Sequence, residues 1–90
     1  MVYYEYVKNK YIYRTFEPTS INDGDLVWHR DKRDRTVLIV SGLGWKFQYD
    51  NQLPIDLKPN DNLIIKANVY HRLIKNKDST PLIIRIEEGS

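Results

Sequence analysis

The chain has 90 residues, 14 of them Lys or Arg and 12 Asp or Glu, which gives a formal net charge of +2 with both signs interspersed. A domain of this size buries only about 60% of the surface its unfolded chain exposes, so a single core is expected and no separate catalytic unit. With no cysteine in the chain, disulfides, thiolate-bound zinc and thiol nucleophiles are excluded, and a reducing setting, the cytoplasm, is expected.

Apolar runs are short, as in Val37-Leu38-Ile39-Val40, far below the roughly 20 residues that span a bilayer. The N-terminal Val2-Tyr3-Tyr4-Glu5-Tyr6 has no cationic segment feeding an apolar one, so no secretory leader and no membrane partner are expected. The small, mixed charge lacks the long-range field of a dedicated nucleic-acid binder.

Apolar residues recur every second position or in short runs, β-branched and aromatic types dominate, and Gly, Pro, Asn and Asp interrupt them every few residues. That pattern predicts many short strands and no helix of length. Residues 3–7 and 11–16 flank Lys8-Asn9-Lys10 as a hairpin or as two edge strands, and 18–25 connects onward. Residues 26–31 and 35–40 flank Lys32-Arg33-Asp34 as a second hairpin. Strands over 45–49, 53–57, 62–66, 71–76 and 82–87 follow, with Pro54 marking an edge or an irregularity.

Segments 37–40, 63–65 and 82–84 are apolar on both faces, so their outer side also needs cover. A homodimer that stacks sheets, or exchanges the tyrosine-rich strands within 1–16, is expected to supply it. Tyr3, Tyr4, Tyr6, Tyr11 and Tyr13, interleaved with Lys8, Lys10 and Arg14, also have the makings of a platform for stacking single-stranded bases. The modest cationic count favours dimer packing over nucleic acid.

His29 and Asp31 are two positions apart, so on a strand both point the same way, and Arg35 is expected across the hairpin from them. His71 begins a later strand. If it faces the same interior, two imidazoles and a carboxylate form the set that holds non-haem iron(II) and also accepts Mn, Ni or Zn. A guanidinium near a divalent ion opposes it electrostatically, so Arg35 either swings away, pairs with Asp31, or holds the negative end of a bound ligand. The cluster thus has two readings, a metal site or a metal-free Asp31–Arg35 ion pair. Trp45, Phe47 and Tyr49 alternate onto one face, as core or as pocket wall.

In spacing, Gly24, His29, Asp31, Arg35 and Gly42, followed by Asn60, Lys66-Ala67-Asn68, His71 and Asn76, resemble the two motifs of the cupin superfamily. Asp31 stands where the first motif has its second histidine and Arg35 where it has its glutamate. The run His71-Arg72-Leu73, Asn76, Pro81-Leu82, Ile86-Glu87 and Gly89 is also similar to the cupin domain of type II mannose-6-phosphate isomerases, whose acidic ligand corresponds to Arg35. The resemblance implies an all-β, single-domain jelly-roll β-barrel of the cupin type over 1–90, with a divalent transition metal (Fe, Mn, Zn or Ni) on His29, Asp31 and His71. It further implies a pocket for a small polar or anionic metabolite, bordered by Arg35, Trp45, Phe47 and Tyr49. Two functional forms stay open: a metal-dependent enzyme, and a non-catalytic, metal-free module that binds a ligand or serves as a structural dimer.

Overall fold

Alternating β-branched and aromatic residues commit much of the chain to strands, and a computed structural model describes residues 3–89. β1 (Tyr4–Lys8) and β2 (Tyr11–Phe16) form the first hairpin. Two short 3-10 turns follow, Pro18–Ser20 and Asp23–Asp25, and then β3 (Arg35–Ser41), β4 (Trp45–Tyr49), β5 (Ile55–Asp56), β6 (Asn62–Ile65), β7 (His71–Lys75) and β8 (Leu82–Glu88). One sheet has the order β1-β2-β8-β3-β6 and the other β5-β4-β7, and every pairing is antiparallel. The fold is all-β, as expected. Its hydrogen bonding draws two sheets rather than one closed ring.

Four of the turns are set by asparagine. Asn9, Asn51, Asn60 and Asn68 adopt φ values of 58, 61, 75 and 65°, a left-handed conformation that asparagine tolerates better than most residues because its side chain can bond locally. The two sheets press their inner faces together. Phe16, Val37, Ile39, Ile65, Leu82, Ile84 and Ile86 from the larger sheet meet Trp45 and Phe47 from the smaller, with Ile21 and Leu57 added from connecting segments. Removal of this apolar surface from water is the main force holding the sheets together.

Two expectations need correction. Residues 26–31 form no strand, and no hairpin joins them to β3. The sequence Asn22-Asp23-Gly24-Asp25 instead makes a capped 3-10 turn, and both edges of β3 are taken by β6 and β8, so only His29 pairs, in one isolated bridge to His71. The strand expected over 53–57 contracts to Ile55–Asp56, beside Pro54, whose missing N–H cannot join a ladder. The first two positions of the N-terminal segment 1–16 lie outside the described residues. No helix among the described residues is long and apolar enough to cross a membrane.

Candidate metal centre

Reciprocal backbone bonds build the site: the His29 N–H donates to the His71 carbonyl at 3.0 Å, and the His71 N–H donates to the His29 carbonyl at 2.9 Å. The two rings therefore lie side by side, with centroids 4.3 Å apart at 66°. A second clamp holds the carboxylate. The Asn68 N–H donates to the Asp31 carbonyl at 2.7 Å, and the Ala67 N–H donates to Asp34 Oδ1 at 2.8 Å, tying the 31–34 loop to the turn before β7.

Each imidazole is oriented in the same way. Nδ1 of His29 lies 3.0 Å from the Val27 carbonyl, and Nδ1 of His71 lies 2.9 Å from the Val69 carbonyl. A carbonyl can only accept, so Nδ1 carries the proton and Nε2 presents a lone pair. Carbonyl-bound Nδ1–H groups of this kind fix the orientation of metal-ligating histidines.

Asp31 divides its two oxygens. Oδ1 lies 3.3 Å from Arg35 Nη1, while Oδ2 lies 3.3 Å from His71 Nε2 and is buried without a hydrogen-bond partner. His71 is only 4% exposed. Burial pushes its imidazole below the ordinary value, against the opposing pull of the Val69 carbonyl, while His29 lowers it further and Asp31 raises it. A neutral Nε2 and a carboxylate oxygen are both acceptors, and two buried acceptors facing each other are unfavourable unless a cation lies between them.

The donor set fits a divalent transition metal. One ligand atom from each of His29, Asp31 and His71 lies within 4.8 Å of the others. Donors about 2.1 Å from a shared ion sit roughly 3.0–3.4 Å apart, which matches the Asp31–His71 separation; the full set spreads up to 4.8 Å, so the exposed His29 ring would have to move inward to join them. Arg35 is the expected obstacle, and its surroundings offset it. It bridges Asp31 and Glu88, with Nη2 3.3 Å from Glu88 Oε2. Two carboxylates against one guanidinium leave one net negative charge for a cation to neutralise.

A cavity of about 300 Å3 opens onto this cluster. His29, Asp31, Arg35 and His71 line it together with Phe47, whose ring stacks 5.6 Å from that of His71. Trp45 and Tyr49, expected at the same pocket, are not on its wall. All three aromatics share one face of β4, but that face is longer than the cavity. Trp45 packs on Phe16 and donates its indole N–H to the Thr80 carbonyl; the Tyr49 hydroxyl donates to the Ile64 carbonyl, and burial pushes its ionisation up.

Sequence reasoning missed the Val27 and Val69 carbonyls, which carry no side-chain signal, and Glu88, whose role depends on the β3–β8 register that sets it opposite Arg35. It also missed Arg14, which lines the cavity from β2.

No protein-family model matches the sequence, and no curated protein matches it. Solved structures do match its shape. A protein of Ralstonia eutropha JMP134, provisionally described as a mannose-6-phosphate isomerase, superposes with a TM-score of 0.65 at 16% identity, over 97% of this chain and 82% of that one. A cupin domain from Bordetella pertussis Tohama I gives 0.65 at 16% identity, over 99% and 93%. The iron(II) form of HppE in complex with its substrate gives 0.65 at 11% identity, over 96% of this chain and 52% of that one, so the chain spans about half the length of HppE. Identities this low establish the fold alone, and that fold, two antiparallel sheets around a cavity, is the cupin fold.

Proposed function

We propose that this chain is a metal-binding cupin whose jelly-roll interior takes a small polar or anionic metabolite. The observation that carries the reading is Asp31 Oδ2, a buried carboxylate oxygen with no hydrogen-bond partner, set 3.3 Å from the Nε2 of His71. Protein interiors seldom leave such an atom orphaned, because the desolvation cost is not recovered. His29 Nε2, Asp31 Oδ2 and His71 Nε2 would hold a divalent ion such as Fe, Mn, Zn or Ni, leaving other positions open to a ligand. When bound, such an ion supplies Lewis acidity or, if it is iron, activation of dioxygen.

The chain's own groups do the rest. The Val27 and Val69 carbonyls fix the ring orientations, Arg35 and Glu88 hold Asp31 so that Oδ2 turns inward, and Phe47 with the aliphatic wall covers the His71 side of the cluster, while His29 stays exposed. Two neighbours in fold, HppE with iron(II) and HppE with cobalt(II), are substrate complexes, which supports metal chemistry as compatible with this architecture. A second reading, a metal-free ligand-binding module, is favoured by the Asp31–Arg35 contact, one of the three outcomes foreseen for Arg35. In either form we take the working unit to be a homodimer in the cytoplasm, supported by exposed apolar residues such as Ile64 on the outer face of the larger sheet.

Metal analysis of protein purified without chelator tests the reading. About one transition-metal ion per chain is expected in the wild type and close to none in His71→Ala and Asp31→Asn, with circular dichroism unchanged. A wild-type protein that carries no metal and takes up none when titrated with zinc or iron(II) would leave only the metal-free module.

A further inference from the structure

The cavity has a second polar end. Register places Arg14 opposite Ile84 and Arg35 opposite Glu88. The two arginines thus sit on opposite sides of β8 and four positions apart along it, about 13 Å of strand. Both line the same cavity, with the metal-ligand cluster gathered around Arg35, Arg14 beside Tyr3, and Ile39, Ile84 and Ile86 forming wall between them.

The two guanidinium groups are engaged differently. Arg35 spends Nη1 on Asp31, and Nη2 and Nε on Glu88. Arg14 donates only Nε, to Glu5 Oε1 at 2.7 Å, and its guanidinium carbon lies over the Tyr3 ring, 4.3 Å from the centroid. Its terminal nitrogens have no acceptor among the described residues, and its side chain is only 17% exposed. Water reaches these donors, so they are free to exchange it for an acceptor on whatever fills the cavity. Asp25 also lines the cavity, but its Oδ2 accepts the Asn22 N–H at 3.0 Å and it makes no ion pair with Arg14 among the described residues. The Nη1/Nη2 edge of an arginine matches a carboxylate in a bidentate pair.

We infer that Arg14 anchors the anionic tail of the ligand. The cavity then selects a molecule with a polar, metal-chelating head at His29, Asp31 and His71, a short apolar body, and a carboxylate or similar planar anion at its other end. This rests on the reading of the cavity as a ligand site given above. A volume of about 300 Å3 suits a ligand of that size.

The test titrates zinc-loaded and metal-free protein with α,ω-dicarboxylates from succinate to suberate and with monocarboxylates of the same lengths, by calorimetry, and measures zinc affinity separately. At least one dicarboxylate is expected to bind about tenfold more tightly than its monocarboxylate. Arg14→Gln erases that preference and leaves zinc affinity unchanged; Arg14→Lys, which keeps the charge without the fork, retains part of it. Glu5→Gln, which frees the Nε edge and removes a competing charge, tightens dicarboxylate binding about twofold or more, and it keeps the test alive if the Arg14 variants fail to fold. A wild type that binds no dicarboxylate, or binds both classes equally, overturns the proposal, as does Arg14→Gln weakening both classes alike or Glu5→Gln leaving affinity unaltered. If zinc does not bind but the dicarboxylate preference persists in metal-free protein, the anchor stands and the metal reading falls alone.

Discussion

His71 is the residue on which backbone, charge and burial converge. Its N–H and carbonyl bridge to His29, its Nδ1–H is spent on Val69, and its Nε2 faces Asp31. Burial lowers its pKa from the ordinary 6.5, so the folded state prefers the neutral ring while the unfolded chain titrates normally. Between the depressed value and 6.5 the unfolded chain binds more protons than the folded one, and stability therefore rises with pH through that window. The stabilisation is complete above about 6.5 and is lost as pH falls toward the folded-state pKa. Urea denaturation of metal-free protein at pH 8 and pH 5.5 should show a lower midpoint at pH 5.5, by at most ~1.4 kcal/mol from this one group. His71→Gln, which can still bond to Val69, should flatten that difference. A midpoint that rises on acidification would mean that attraction to Asp31 outweighs burial. Metal affinity falls in the same direction, because protons and metal compete for the same Nε2.

At the scale of elements, the passage from β3 to β4 depends on a glycine. The β3–β8 register shifts between Ile39 and Ser41, and Gly42 then takes φ +132°, a conformation open to glycine and strained for other residues. A Cβ there would come within 2.9 Å of the Pro81 carbonyl oxygen and 3.0 Å of Leu82 Cα, both backbone atoms where the chain enters β8. Gly42→Ala should cost roughly 1–3 kcal/mol in thermal or urea unfolding. Gly24→Ala is the control, since a Cβ there meets nothing within 4 Å, and it should leave stability nearly unchanged. Such close approaches are invisible in a sequence, whereas alternation is not. β2 and β4 were legible to the residue, β4 by its apolar period of two and β2 by its run of aromatic and β-branched residues, both set by local geometry. Leu26, Val27 and Trp28 look equally strand-like, yet the partner edges they would need are occupied by β6 and β8, a competition decided far along the chain. The site divides in the same way. The spacing of His29, Asp31 and His71 signalled their convergence, while Arg14 and Glu88 became readable only once register set Arg14 opposite Ile84 and Glu88 opposite Arg35.

For the whole molecule, the open question of cover concerns the outer face of the larger sheet. Its inner face is core, while outward stand Tyr4, Tyr6, Val40 and Ile64, exposed by 71, 58, 41 and 62%. Across neighbouring strands the row Tyr6, Tyr13, Arg85 and Leu38 runs unbroken, with the two tyrosine rings stacked at 5.0 Å. Arg85 lies over Tyr11 at 4.3 Å and Lys10 lies 5.5 Å from the same ring, so one tyrosine of the platform that bases would need is engaged by the chain's own cations. An apolar sheet face flanked by the edge strands β1 and β6 suits association with a second copy better. Light scattering is expected to give twice the 10.8 kDa of one chain. The double substitution Tyr6→Lys with Ile64→Lys forces two ammonium groups into that interface and should weaken dimerisation by about a hundredfold or more. Metal uptake should survive in the resulting monomer, because His71 lies on β7 of the smaller sheet and His29 and Asp31 in the segment before β3, away from that outer face. A wild type that stays at the mass of one chain at high micromolar concentration would show that this face is content with water, and the tyrosines would then have to be explained by cross-strand packing alone.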